Sequence, residues 1–140
     1  MQSNIETFRY RMTYRISGRL RFLSHKELMR MMMRACRRAR LPLAFSEGFN
    51  PHPKVSFGSA LAVGVTSDGE YLDIELRREM PAKEALERLE SVMPPGLTAL
   101  EIKELQTRAR SLAAIINLAR YRVRITTEPP LTGVGLAGII

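Results

Sequence analysis

Only one cysteine, Cys36, occurs in the 140 residues. An internal disulfide is therefore impossible, and no cysteine cluster exists to hold an iron–sulfur centre or a structural zinc. Cys36 falls on the apolar side of a predicted helix, where a cysteine behaves as a small buried hydrophobe. Also missing is any apolar run of the roughly 18–20 residues needed to cross a bilayer. Residues 1–7 lack the basic-then-apolar plan of a secretory signal, so the cytoplasm is the expected compartment and no membrane partner is expected. A glycine-rich phosphate loop and a nucleophile elbow are absent too. Acid is the scarce sign of charge: 14 Asp and Glu stand against 22 Lys and Arg, a net charge of +8.

That balance points to a polyanionic partner, either nucleic acid or an acidic protein. Residues 1–54 hold 12 Lys and Arg against 3 acids, residues 55–107 hold 5 against 10, and residues 108–140 hold 5 against 1. The basicity thus sits at both ends of the chain around an acidic middle. Such an asymmetry makes either a binding face or two halves that attract each other within one fold. The 45% apolar content is ordinary for one globular domain with its own core.

Phe8 to Ile16 alternates apolar residues with Arg9, Arg11, Thr13 and Arg15, the pattern of a half-buried strand with a basic outer face. Ser17-Gly18 marks a turn, and Arg19-Leu20-Arg21-Phe22 repeats the alternation briefly. Ser24 followed by Glu27 fits a capping box, and a helix runs from there to about Arg40, with Pro42 beyond its end. Leu28, Met32, Ala35, Cys36 and Ala39 form its apolar face, flanked by Met29 and Met33; Lys26, Arg30, Arg34, Arg37 and Arg38 line the other side. Further strands are predicted over 54–63, 70–77 and 97–105. Pro81 opens a helix over 82–93, and Thr66 to Gly69 makes a turn.

The order strand, helix, strand, strand, helix, strand is that of an α+β, ferredoxin-like split βαβ sandwich (βαββαβ), assigned to residues 1–107. Its first and third strands are central neighbours, which sets the arginines of the first against Asp73 and Glu75 of the third. Pairing of this kind argues against an open sheet face as an RNA platform, with Tyr71 its one obvious stacking residue. Residues 108–140 are read as a linker, a short helix over 111–118 and a strand over 120–126 that opens an incomplete second half. An apolar tail, 131–140, would invite oligomer formation.

Between the basic and acidic parts lies Phe45 to Phe57, with Gly48 free to take positive φ and Pro51 and Pro53 holding their neighbours extended. This stiff, irregular loop displays Asn50, His52 and Lys54 and is expected to lie beside the basic residues of the opening elements, Arg19 and Arg21 among them.

Gly18–His25, Leu28–Arg30 and Gly48–Lys54 (Gly-Phe-Asn-Pro-His-Pro-Lys), continued by Val63–Val65, Gly69–Ile74 and Pro94–Leu97, resemble the radical-SAM-linked domain family. This is a bacterial family of unknown function, and the match covers most of the chain up to about Arg124. The chain departs from the family's pattern at Phe45 and Glu47, where Tyr and Gln are common, and at Lys26-Glu27, where Leu-Asp is. The resemblance implies a radical-SAM partner, fused or separate, and neighbourhood with ribonuclease and ribosomal-protein genes. The iron–sulfur cluster and S-adenosylmethionine are then expected on that partner alone, with no cofactor in this chain.

Three functions compete. The first is an accessory domain recognising tRNA or ribosomal RNA: Arg19, Arg21, Arg30, Arg34 and Lys54 hold phosphates, Asn50 and His52 contact base or sugar, and His25 belongs to the same binding set. The second is a protein module docking the radical-SAM enzyme through the methionine face or the tail. The third is a small metal or hydrolytic site at His25, His52 and Glu47, since two histidines and a carboxylate can bind zinc or iron with open positions. No residue is assigned a catalytic or metal-binding role.

Overall fold

Tyr10, Met12, Tyr14 and Ile16 are all but completely buried, so the alternation in Phe8–Ile16 does produce a half-buried strand, β1. The computed structural model describes residues 5–129, and the elements after β1 are a 3-10 helix (Gly18–Phe22), α1 (His25–Arg38), β2 (Val55–Phe57), β3 (Ser67–Leu76), α2 (Ala82–Glu90), β4 (Leu97–Leu105) and α3 (Leu112–Ile115). The chain is an α+β protein whose four strands form one antiparallel sheet in the order β2-β3-β1-β4, with β1 and β3 central as expected. One face of the sheet meets Leu28, Met32, Ala35 and Cys36 of α1 and Ala85 and Leu89 of α2 in a single core. Each large apolar side chain buried there contributes about 1.5–3 kcal/mol. Leu97 and Ala99 of β4 face inward, and a register shift opposite Thr13 and Tyr14 then brings Ile102 inward in turn.

Burial explains the methionines and the cysteine. Met32 is fully enclosed and Met31 and Met33 pack partly buried against the core, so most of the methionine face of α1 is spent on packing. Burial also pushes the Cys36 thiol up to about 12, far from a reactive thiolate. Tyr10 is buried with its phenol satisfied: the hydroxyl donates to the Met80 carbonyl at 2.8 Å and accepts from the Met80 amide at 3.0 Å.

Helix α1 starts where the capping box predicts. The Glu27 amide donates to Ser24 Oγ at 3.3 Å and the Ser24 amide to the Glu27 carboxylate at 2.7 Å. That second bond holds the Glu27 carboxyl below its ordinary range. The helix stops before Pro42 is reached. Arg40 takes the left-handed conformation (φ 54°), its amide bonds to the Arg37 carbonyl and the Leu41 amide bonds to the Cys36 carbonyl. This is a Schellman stop with arginine in the place usually held by glycine.

Several expectations are corrected. Arg19 to Phe22 is not strand-like: Gly18 turns the chain (φ 60°) and Leu20 tucks against Gly96, where an added Cβ would meet the Ser17 carbonyl at 2.7 Å. The second strand shrinks to Val55–Phe57. After Gly58 the chain leaves the sheet and packs on the 3-10 helix instead, with the Gly64 amide bonded to the Arg21 carbonyl. Ser67 to Gly69, expected as a turn, already belongs to β3, with Ser67 opposite Ile16. Pro81 is the cap of α2 rather than its first helical residue, and α2 ends at Glu90. The short helix covers only Leu112–Ile115, and 120–126 forms no strand among the described residues. The apolar tail over 131–140 lies outside the described residues. No helix among the described residues is long and apolar enough to cross a membrane.

Candidate functional site

Two features of the sheet decide where free positive charge lies. On the outer face Arg11 grips Asp73 with both arms of its fork, Nε to Oδ1 at 2.7 Å and Nη2 to Oδ2 at 2.8 Å. Arg9 approaches the same carboxylate at 3.6 Å, and Lys54 pairs with Glu75 at 3.6 Å. The hydrogen bonds that Asp73 accepts raise the Arg11 pKa further. Residues 109–118 then cross this face: Arg9 and Arg11 donate to the carbonyls of Ala109 and Arg110 at 3.0 Å each, and Leu112 is buried. Tyr71 lines a cavity of about 340 Å³ beneath Leu112, Ile115 and Ile116. The outer face is thus neutralised and partly covered.

On α1 the pattern is the reverse. Lys26, Arg30, Arg34, Arg37 and Arg38 are exposed, and none makes an ion pair among the described residues, whereas α2 pairs Lys83 with Glu87 and Arg88 with Glu84. Positions spaced by three and four residues share one helix face, so these cations form a stripe about 18 Å long.

The loop is the second feature. The chain pairs with β3 at Leu43, opposite Leu76, departs at Phe45, and returns at Lys54, whose carbonyl accepts from the Glu75 amide. Residues 45–53 are therefore an excursion that interrupts the edge strand. Its neck is closed by the Phe45–Pro53 bridge, by the Ser46 amide bonded to the His52 carbonyl at 2.8 Å, and by the His52 amide bonded to Ser46 Oγ at 2.9 Å. Gly48 takes φ 115° at the tip, and Glu47, Phe49, Asn50 and His52 are exposed.

The predicted site residues do not form one patch. Arg19 and Arg21 follow the end of β1 that pairs with Ser67 and Leu97, while the loop leaves the sheet beside Leu76, opposite Phe8. Eight residues of strand, about 26 Å, separate those levels. The expectation that the loop lies beside Arg19 and Arg21 is therefore corrected. Arg30 and Arg34 lie between, on the helix that runs from one end to the other. Lys54 is occupied by Glu75. Arg21 lies over the Phe22 ring at 4.7 Å. His25 is half-buried edge-on to Phe57 at 5.9 Å and lines a small cavity with Leu61 and Val65, whereas His52 stands exposed on the loop. No group of three His, Cys, Asp or Glu could hold a metal ion among the described residues, so the trio of His25, His52 and Glu47 gains no support.

Sequence reading misses what surrounds the loop. Arg40, Arg77 and Arg78 are exposed at the same end, with the Arg77 amide bonded to the Pro42 carbonyl. Phe49, inside the quoted loop motif, escapes notice because an aromatic in an apolar context normally signals core.

No curated protein matches the sequence. The family model described as "Uncharacterized protein conserved in bacteria (DUF2344)" matches residues 9–134, and the chain belongs to that family.

Proposed function

We propose that this chain is an RNA-recognition domain serving a radical-SAM system, built on a ferredoxin-like sandwich. The strand order β2-β3-β1-β4, with α1 and α2 sharing one core against one sheet face, supports the scaffold assignment. The partner assignment rests on the sequence resemblance. That partner, acting in the cytoplasm, carries the iron–sulfur cluster and S-adenosylmethionine, and the substrate is tRNA or ribosomal RNA.

The observation that carries the reading is the unpaired stripe on α1. A solvated helix face in a marginally stable protein gains from interleaved acids, as α2 does. Five cations against the single carboxylate of Glu27, which the Ser24 amide already engages, repel one another and are relieved by a polyanion, with guanidinium forks matched to phosphate. Binding of an RNA hairpin, followed by fluorescence anisotropy across a salt series, tests this. Affinity that falls steeply with salt, and that Arg30→Ala with Arg34→Ala weakens, supports it. Absence of binding at low salt, or indifference to those substitutions, removes it.

A second reading, docking of the radical-SAM enzyme, is favoured by the apolar side chains of Leu118, Tyr121, Val123 and Ile125, exposed beyond α3. A stable complex that survives nuclease treatment and is lost on Val123→Asp would favour docking over RNA recognition.

A further inference from the structure

Phe49 stands with its ring wholly in water, at 106% of reference exposure. A side chain of that size left outside forgoes the burial that stabilises every other large apolar residue of the core. Nor is the tip slack. The neck is closed by both Ser46–His52 hydrogen bonds and the Phe45–Pro53 bridge, Pro51 and Pro53 restrict their own backbone, and Gly48 permits the reversal. The ring is held out in advance of any encounter, so little ordering is lost when something stacks on it.

Where the loop leaves the sheet, positive charge accumulates. Arg37, Arg38 and Arg40 end α1, and Arg77 and Arg78 follow β3, all exposed and none ion-paired among the described residues. Arg40 is the telling member. It occupies a left-handed position that glycine fills at lower cost, so a guanidinium is kept there against local preference.

We propose that the loop is a base-stacking finger for an unpaired nucleotide. Phe49 covers the face of the base, Asn50 and His52 reach its edge or ribose, and the arginine collar holds the flanking phosphates. A duplex cannot use this finger, because its base faces are already stacked. The inference rests on the RNA reading but adds to it: the stripe on α1 explains attraction to any polyanion, whereas the finger selects single-stranded RNA.

The chain has no tryptophan, so Phe49→Trp introduces a single fluorescent reporter at the tip. With an oligouridylate of about ten nucleotides, stacking should quench that fluorescence and preserve affinity. Phe49→Ala should weaken oligouridylate binding roughly ten-fold while leaving both the salt slope and hairpin-stem binding unchanged. If Phe49→Ala binds oligouridylate as the parent does while Arg30→Ala with Arg34→Ala binds less, the finger is wrong and RNA recognition stands. If the parent binds neither oligouridylate nor hairpin, both fall. Indole fluorescence of the Phe49→Trp variant that stays unquenched under saturating oligouridylate also overturns the finger.

Discussion

Arg11 and Asp73 meet fork to fork across the two central strands, and Asp73 is the one buried charged residue among the described residues. Arg9 leans on the same carboxylate. Asp73→Ala should leave two guanidinium groups facing each other in a partly dry setting and cost about 2–4 kcal/mol of stability by urea unfolding. The double change Arg11→Met with Asp73→Leu should cost less than Asp73→Ala alone, because only the more exposed Arg9 is then left without its carboxylate. An additive double mutant would contradict this account.

The same pairing predicts which arginines matter for RNA. Each free cation of α1 that contacts phosphate should lower the slope of log affinity against log salt by about one when removed. Arg34→Ala should do so. Arg11→Ala should not, since its charge is already matched by Asp73.

Arg40→Gly should separate stability from binding. Relief of the left-handed arginine is worth about 1 kcal/mol to the fold. The same change should weaken oligouridylate binding by removing one collar charge. A variant less stable than the parent would show that the Arg40 conformation carries no strain.

Tyr10→Phe removes both partners of Met80 at once, leaving a buried amide and a buried carbonyl unmet. The expected loss is about 1–3 kcal/mol, read from the urea midpoint at unchanged slope. A neutral outcome would mean that water reaches Met80.

Glu27 is held below its ordinary pKa of 4.5 mainly by the Ser24 amide. A carboxyl depressed in the folded state contributes stability above its unfolded pKa, and that contribution disappears as pH falls through the folded value. Stability of the parent should therefore decline below about pH 4.5 more steeply than that of Glu27→Gln. Parallel stability curves for the two proteins would remove the cap from the acid response.

How far the sequence discloses this molecule depends on whether neighbours or distant contacts decide each element. Phe8–Ile16 and the Ser24–Glu27 cap depend on spacing alone, and both are legible. The outward set of β3 makes the Arg11–Asp73 contact foreseeable, because strand pairing follows from topology. By contrast, 54–63 alternates like a strand, yet Gly58 releases it to pack on Gly18–Phe22, a contact no local pattern encodes. Arg120 to Thr126 carries the spacing of a strand yet forms none among the described residues, so period alone misleads. The candidate site is half visible: the loop motif and the α1 stripe are plain, but the separation of Arg19 and Arg21 from the loop follows only from the sheet. Phe49 stays hidden because composition cannot distinguish a ring that packs from one that is displayed.

The interrupted edge has a consequence for solubility. A long edge strand offers another chain a continuous ladder of amides, and many proteins aggregate by that route. Here the ladder is broken at Phe45, and Pro51 and Pro53 have no amide hydrogen to offer. Whatever the projecting segment recognises, its presence also denies self-templating growth along this side, so a version trimmed to join Ala44 directly to Lys54 would keep its core and begin to clump.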